Sequence, residues 1–317
     1  MADRGTPRPG VLQRLRAVLA APAQTQAQLK DVARRLEQIE RQLESLNKIW
    51  QKTRHVEPAV QAALRALYLD RAGLPYPERL IAQRFRLASQ NQEDGMTMAL
   101  LAEAGIATRT FVEIGSGLSG GNSAALAREW GWTGLMVDGR GQTRMEQVGR
   151  RFPGVTALNA WVTRDNVNEL LTSHGFAGEI DLFSLDLDGV DYWIWEALTA
   201  VSPRVVILEY NSMFGSARAI TVPYDPQFER HRHHPLYYGV SLAGWTRLAS
   251  RKGYRLVAVE PAGVNAFFVR NDLAPHIPAA EASRVYRIQE KHDVLMAGGE
   301  DVFAYAAREG LALVEIA

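Results

Sequence analysis

Apolar and polar positions along the chain follow three successive rhythms. From Leu29 to Trp50 the apolar residues are Leu29, Val32, Leu36, Ile39, Leu43, Leu46 and Trp50, in steps of three and four, with Gln, Arg, Glu and Lys between them. So narrow a stripe, kept over three heptads, predicts a coiled-coil seam; the other reading is one amphipathic helix folded back onto the body. Residues 56–107 read as helical, interrupted at Pro75 and Pro77, with runs over Glu57–Asp70, Glu78–Leu87 and Met96–Glu103. From Thr110 onward short apolar runs alternate with helical ones. Strands are expected at Thr110–Ile114, Gly134–Val137, Val155–Asn159, Asp181–Leu187, Arg204–Tyr210, Arg255–Glu260 and Asn265–Arg270. Helices are expected at Gly121–Trp130, Arg144–Arg151, Asn166–Ser173, Tyr192–Thr199 and Leu242–Lys252. Such alternation predicts an α/β fold with a mostly parallel sheet covered on both faces. Only Pro261 to Val264 joins the last two strands, so they form an antiparallel hairpin. The chain divides into residues 1–23 (basic tail), 24–54 (coiled-coil helix), 55–107 (helical lead-in), 108–273 (sheet domain) and 274–317 (two helical runs and an apolar strand, Leu311–Ile316).

Composition changes this picture at a few points. The 317 residues are 47% hydrophobic, enough for a sizeable core, and the net charge of +1 gives no overall pull toward nucleic acid. Residues 1–55 carry eleven Lys or Arg against five acids, so the basic charge is concentrated there. Within the first 23 residues Val11, Leu12, Leu15, Val18 and Leu19 form one helical face. A frayed tail is the favoured reading over a helix lying on anionic lipid, since one short basic helix binds membranes weakly. The absence of cysteine excludes disulfides and thiolate chemistry. No apolar run reaches the roughly 18 residues that span a bilayer, and no signal peptide is evident. A cytoplasmic protein is expected.

The run from Thr110 to Gly117 (Thr-Phe-Val-Glu-Ile-Gly-Ser-Gly) carries the most chemistry. A strand ends in an acid, glycines follow, and Asn122 and Ser123 open a helix. About twenty residues later a second strand ends in Asp138. This is how a Rossmann-like sheet holds an adenosine-bearing cofactor: the glycines admit the ligand to the backbone and the second acid takes ribose hydroxyls. Gly115, Gly117 and Gly120 satisfy G-x-G-x-x-G, which also permits a nicotinamide cofactor. Glu113, two residues before the first glycine, suits the positively charged amino-acid end of S-adenosylmethionine.

Ligands of open α/β sheets bind beyond the carboxyl ends of the strands. Those ends offer Glu113, Gly115 and Gly117; Asp138; Asn159 and Trp161; Asp186, Asp188 and Asp191; and Glu209 and Asn211. Three carboxylates within Asp186–Asp191 repel one another unless a cation or hydrogen bonds offset the cost. An all-oxygen Mg²⁺ site of Asp186, Glu209 and Asn211 is one answer. Simple capping of the following helix by Asp188 and Asp191 is the other. His231, His233 and His234 lie in a long polar loop, where His234 is a candidate general base and a solvated loop is an equal reading. Tyr224, Tyr237 and Tyr238 in that loop either stack on sugars or pack it down. Ser89–Gly95, just before the first strand, reads as an N-cap loop with Asp94 as cap, or as a lining for the cofactor.

Three stretches resemble the class I S-adenosylmethionine-dependent methyltransferases, and within them the FkbM-like group. They are Ser89–Gly95, Phe111–Asn122 followed by Gly131–Gly139, and Ile180–Gly189. The resemblance covers residues 85 to 270. It implies a Rossmann-like sheet closed by an antiparallel hairpin, and O-methylation, often of sugars or glycan precursors. It implies that Glu113, Gly115 and Gly117 bind the methionine part of S-adenosylmethionine, Asp138 the ribose, and Asn159 and Trp161 the adenine, with Asn122 a further residue of the cofactor site. Gln90, Asn91 and Asp94 would approach the carboxylate end. The group often has Glu where this chain has Asp188. Metal-dependent sugar and catechol O-methyltransferases look similar at the fourth and fifth strands, with acids where Asp186 and Glu209 stand. Their third ligand falls at Tyr210 here, with Asn211 as a substitute.

The combined expectation is an O-methyltransferase with catalytic Asp186, Asp188 and His234, an S-adenosylmethionine site that includes Asp186, and Mg²⁺ as an option. Its acceptor is a sugar or glycan precursor, and its N-terminal coiled coil makes it a homo-oligomer in polysaccharide biosynthesis. The rivals are a secondary-metabolite methyltransferase, a nicotinamide oxidoreductase, and a non-catalytic assembly protein on the same fold.

Overall fold

The computed structural model describes residues 30–32, 34–44, 60, 73–299 and 301–317. The chain forms two units, Met1–Glu57 and Pro58–Ala317. In the first, the described residues 30–32 and 34–44 are helical. An Arg35–Asp31 ion pair one turn apart (2.8 Å) lies on this helix. Its apolar stripe, Val32, Leu36, Ile39 and Leu43, is 49–59% exposed. Leu29, Leu46, Trp50, the segment 1–23 and the expected helix Glu57–Asp70 lie outside the described residues, Val60 apart.

The second unit is built on strands β1 (Thr110–Ile114), β2 (Thr133–Asp138), β3 (Val155–Asn159), β4 (Gly178–Leu185), β5 (Val201–Glu209), β6 (Ile220–Thr221), β7 (Tyr254–Val259), β8 (Asn265–Arg270) and β9 (Val314–Glu315). Seven form one sheet in the order β3-β2-β1-β4-β5-β8-β7. The pairs among β1 to β5 are parallel. The pairs β5–β8 and β7–β8 are antiparallel. The expected sheet with its final hairpin is therefore present. Apolar residues of the central strands serve the two faces alternately, because successive side chains point to opposite sides. Val112, Ile114, Leu135, Val137, Phe183, Leu185, Val206 and Leu208 join one core. Phe111, Met136, Leu182, Val205 and Ile207 join the other. Glu113 thus shares a face with Phe111, and its register neighbour on β4 is Ser184.

The helices are α1 (Glu78–Ile81), α2 (Glu93–Ala104), α3 (Ala124–Trp130), α4 (Gln142–Arg151), α5 (Val167–Ser173), α6 (Asp191–Ala197), α7 (Leu242–Arg251), α8 (Ala282–Val285), α9 (Glu290–Ala297) and α10 (Val302–Arg308). Two expectations are corrected here. The run expected to reach Leu87 stops at Ile81, and α2 begins at Glu93, so Asp94 sits inside the helix rather than capping it. Its Oδ2 instead accepts the N–H groups of Leu87 (2.6 Å), Ala88 (2.8 Å) and Ser89 (3.0 Å), pulling that segment out of the helix into a loop. The C-terminal segment holds three short helices, and its strand shrinks to Val314–Glu315, which pairs with β6.

Candidate active site

The strand order reverses between β1 and β4, and the polar strand ends gather at that point. Glu113 is buried, and both its oxygens face the turn that opens α3. Oε1 accepts Asn122 N–H at 3.2 Å, and Oε2 accepts Ser123 N–H at 3.0 Å together with the Ser123 hydroxyl. Asn122 Nδ2 donates to Ser184 Oγ at 3.1 Å. Burial pushes the Glu113 carboxyl up to about 7, against these hydrogen bonds. Glu113 therefore anchors the glycine loop by accepting the backbone N–H groups of Asn122 and Ser123 on its carboxylate. Ser123, read in the sequence only as opening a helix, and Ser184, which was given no role there, complete this anchor; register brings Ser184 to it.

The loop needs its glycines for different reasons. Gly115 has φ +89°, and a Cβ built on it would overlap the Asp186 carbonyl oxygen. The tips of β1 and β4 meet there with no room for a side chain. Gly117 has φ +56°, and its Cβ position opens onto free space within 4 Å. Its N–H donates to Asp138 Oδ2 at 3.0 Å, while Oδ1 accepts Arg140 N–H at 2.7 Å. Asn159, beside Asp138 in register, accepts Gly141 N–H at 3.0 Å and fixes the loop after β2. The half-exposed Trp161 lies over Gly139, and its indole N–H donates to Pro226 O at 2.7 Å. Asp138, Asn159 and Trp161 thus line one end of a crevice whose floor is the Gly115–Gly117 backbone.

At the other end stand Asp186, Asp188 and Glu209, each offering an oxygen within 4.8 Å of the others'. All three are half-buried. Asp186 and Glu209 hydrogen-bond one another, which two like charges in a desolvated cleft do only by sharing a proton. Burial and the neighbouring carboxylates Asp188 and Asp191 push Asp186 up to about 7, and burial with Asp186 pushes Glu209 well above its ordinary value. Asp191, at the start of α6, turns back to accept Leu187 N–H at 2.8 Å and Gly189 N–H at 2.9 Å. It shapes the loop that carries Asp188, which adopts a left-handed φ of 57°.

The expected metal site is not assembled as read. Asn211 is fully buried and spent. Its Nδ2 donates to Leu236 O (2.8 Å) and Tyr238 O (3.0 Å), and its Oδ1 accepts Met213 N–H (3.0 Å). Tyr210 turns its hydroxyl to Arg287 O. Asp188 Oδ1 is held by Arg230, and Arg140 stands 3.8 Å from Oδ2. The Arg230 guanidinium lies 3.9 Å over the Tyr238 ring, and its Nε donates to Pro235 O at 2.6 Å. A divalent ion beside Asp186 and Glu209 would find one carboxylate taken and a fixed positive charge next to it. The residues present do not fit such an ion.

His234 is also drawn elsewhere. Its ring packs on Tyr305 with centroids 4.0 Å apart, and its Nδ1 accepts Leu236 N–H at 3.2 Å. Its contacts are with the C-terminal segment rather than with the carboxylates. Tyr237 and Tyr238 are 3% and 2% exposed, so they pack the loop down. Of the loop before β1, Gln90 is exposed and Asn91 is tied by its N–H to Glu93 Oε2 at 2.8 Å. Glu93 Oε1 in turn accepts Asn265 Nδ2 at 2.9 Å, fastening the loop to the β8 end next to Glu209.

No family profile matches the sequence. No curated protein matches it either. Solved structures do resemble it, and those include S-adenosylmethionine-dependent methyltransferases. An O-methyltransferase from Bacillus cereus in complex with SAH is 15% identical, with 66% of this chain and 91% of that one covered and a TM-score of 0.35. A SAM-dependent methyltransferase from Aquifex aeolicus is 13% identical over 63% of this chain and 98% of that one, with a TM-score of 0.33. A TehB-like methyltransferase from Corynebacterium glutamicum is 10% identical over 55% and 86%, with a TM-score of 0.32. At such identities and TM-scores the chemistry has to be read from this chain's own residues.

Proposed function

We propose that this chain is an S-adenosylmethionine-dependent O-methyltransferase acting on a hydroxyl of a sugar or glycan precursor. The observation that carries the reading is the meeting of two features at one switch point. A glycine loop bonded to an acid on the next strand (Gly117 to Asp138) faces a desolvated, proton-sharing carboxylate pair, Asp186 and Glu209. The open space at Gly117 and the wall of Asp138, Asn159 and Trp161 suit an adenosine-bearing ligand. S-adenosylmethionine, bound there, supplies an electrophilic sulfonium methyl, so the protein has to align an oxygen and remove its proton.

The Asp186–Glu209 pair has the standing for that removal. With Asp186 pushed up to about 7 and Glu209 raised well above its ordinary value, the ionised member of the pair accepts the hydroxyl proton while its protonated partner holds it in place by a hydrogen bond. The base role expected for His234 passes to this pair in the present reading. The sugar class of the acceptor rests on the resemblance and on the polar cleft. Buried Tyr237 and Tyr238 lend it no stacking platform. The exposed stripe Val32, Leu36, Ile39 and Leu43 supports pairing between copies of the chain.

Calorimetric titration of the full chain with S-adenosylmethionine and, separately, NADH and NADPH tests the cofactor. Binding of a nicotinamide alone would replace this reading with an oxidoreductase. Transfer of labelled methyl into a panel of nucleotide sugars and lipid-linked glycans then tests the acceptor. Cofactor binding with no labelled glycan would redirect the search to other hydroxylated metabolites.

A further inference from the structure

Three carboxylates within 4.8 Å of one another keep negative charge even when two of them share a proton, and the fold brings a positive charge to them from 42 residues away. Arg230 reaches the cleft from the loop after β6. Its guanidinium is fixed on three sides: by Asp188 Oδ1, by Pro235 O at 2.6 Å through Nε, and by the Tyr238 ring 3.9 Å beneath it. Only 16% of its side chain is exposed. The ring under it is itself immobile. Tyr238 is 2% exposed and meets His292 edge-on at 6.4 Å, and His292 Nδ1 lies 2.7 Å from Ser212 Oγ. An arginine so held is permanently charged and costs little further order on meeting its partner. Arg140, whose side chain is 61% exposed, completes the pairing at the other oxygen of Asp188.

We propose that Arg230 is the resident cation of this cleft: it positions Asp188 and takes the place of a divalent metal beside Asp186 and Glu209. Asp188 is then a positioning residue, held toward Arg230 by the left-handed backbone at 188. The guanidinium offsets the net negative charge that the pair carries until it takes up the proton. As a statement about methyl transfer this rests on the reading above. Its metal-binding half is independent, so the two can fail separately.

The test follows free Mn²⁺ by electron paramagnetic resonance during titration of the full chain. Wild type and Arg230→Lys should show no saturable binding below about 1 mM, a range weak protein sites still reach. Arg230→Gln and Arg230→Met remove the charge, the latter keeping an apolar stem over Tyr238. Each should bind Mn²⁺ at least roughly tenfold more tightly than wild type, since a fixed repulsion has gone. Adding Asp188→Asn to either should abolish the gain. Saturable Mn²⁺ binding by wild type below about 1 mM would overturn the proposal, whether or not the variants fold. So would folded Gln and Met variants that both gain nothing. S-adenosylmethionine affinity, measured on the same samples, reports separately on the cofactor site.

Discussion

At the residue scale the candidate site turns on single carboxylates with different duties. Asp138 receives two backbone N–H groups, from Gly117 and Arg140, and so sets the shape of the crevice. Asp138→Ala should leave the fold intact by circular dichroism. It should weaken S-adenosylmethionine binding by roughly ten- to hundredfold, the range for charged hydrogen bonds. Unchanged calorimetric affinity would remove Asp138 from the site. Glu113, Asp186 and Glu260 have carboxyls pushed up to about 7 by burial, each above its ordinary value. In the native state they hold protons that the unfolded chain has already released between about pH 4.5 and 7. Stability should therefore fall as pH rises through that window. His292, pushed down to about 4 by burial with Arg230 and Lys291 nearby, works in the opposite sense over about pH 4 to 6.5. Asp191 and Glu209 are raised too, so the carboxyls outweigh the one histidine and the urea midpoint should be higher at pH 5.5 than at pH 7.5. Glu113→Gln should flatten that slope.

At the element scale, the entry to β1 depends on a residue of β4. Asp181 is fully buried and accepts the N–H groups of Ala107 (2.8 Å), Thr108 (2.8 Å) and Arg109 (2.6 Å). Arg204, on β5, stands 3.6 Å from Asp181 and donates to the carbonyls of Ala104 (2.7 Å) and Gly105 (2.8 Å) at the end of α2. Asp181→Ala strands three backbone donors, so it should cost about 3 kcal/mol in urea unfolding. A loss under about 1 kcal/mol would show that water replaces the carboxylate. Strands β1, β3 and β8 have the bounds their apolar runs predict, and β1, buried and parallel to both neighbours, is marked by its own composition. The starts of β4 and β5 are earlier than predicted. Gly178 and Val201 are set by pairing with each other, which no local pattern announces.

At the scale of the whole molecule, the second unit is closed by its own C-terminal segment. Tyr286 donates to Ser212 O at 2.6 Å, Gln289 N–H to Ser212 Oγ at 3.1 Å, and β9 pairs with β6. That segment, to which the sequence assigned no role, braces the turn after β5 and the floor beneath Arg230. The N-terminal helix leaves four large apolar side chains about half exposed, which is costly unless another surface covers them. A chain starting at residue 55 should therefore scatter light as a monomer while the full chain scatters as a multiple of it. Equal mass per particle for the two would end the oligomer proposal.

The order of strands and the acids at their tips were legible in the linear chain. An apolar run that ends in a carboxylate beside glycines records both where a parallel strand stops and what it presents there. The partnerships of those acids were not legible. Arg230 meets Asp188 across 42 positions and Ser212 meets His292 across 80, with no periodicity linking either pair. Whether Asp188 would face a metal or an arginine, and whether Asn211 would ligate or fasten a loop, depended on which long loop the sheet drew over its edge. That is decided by packing of Tyr238 and the C-terminal segment, and only the folded chain brings them together.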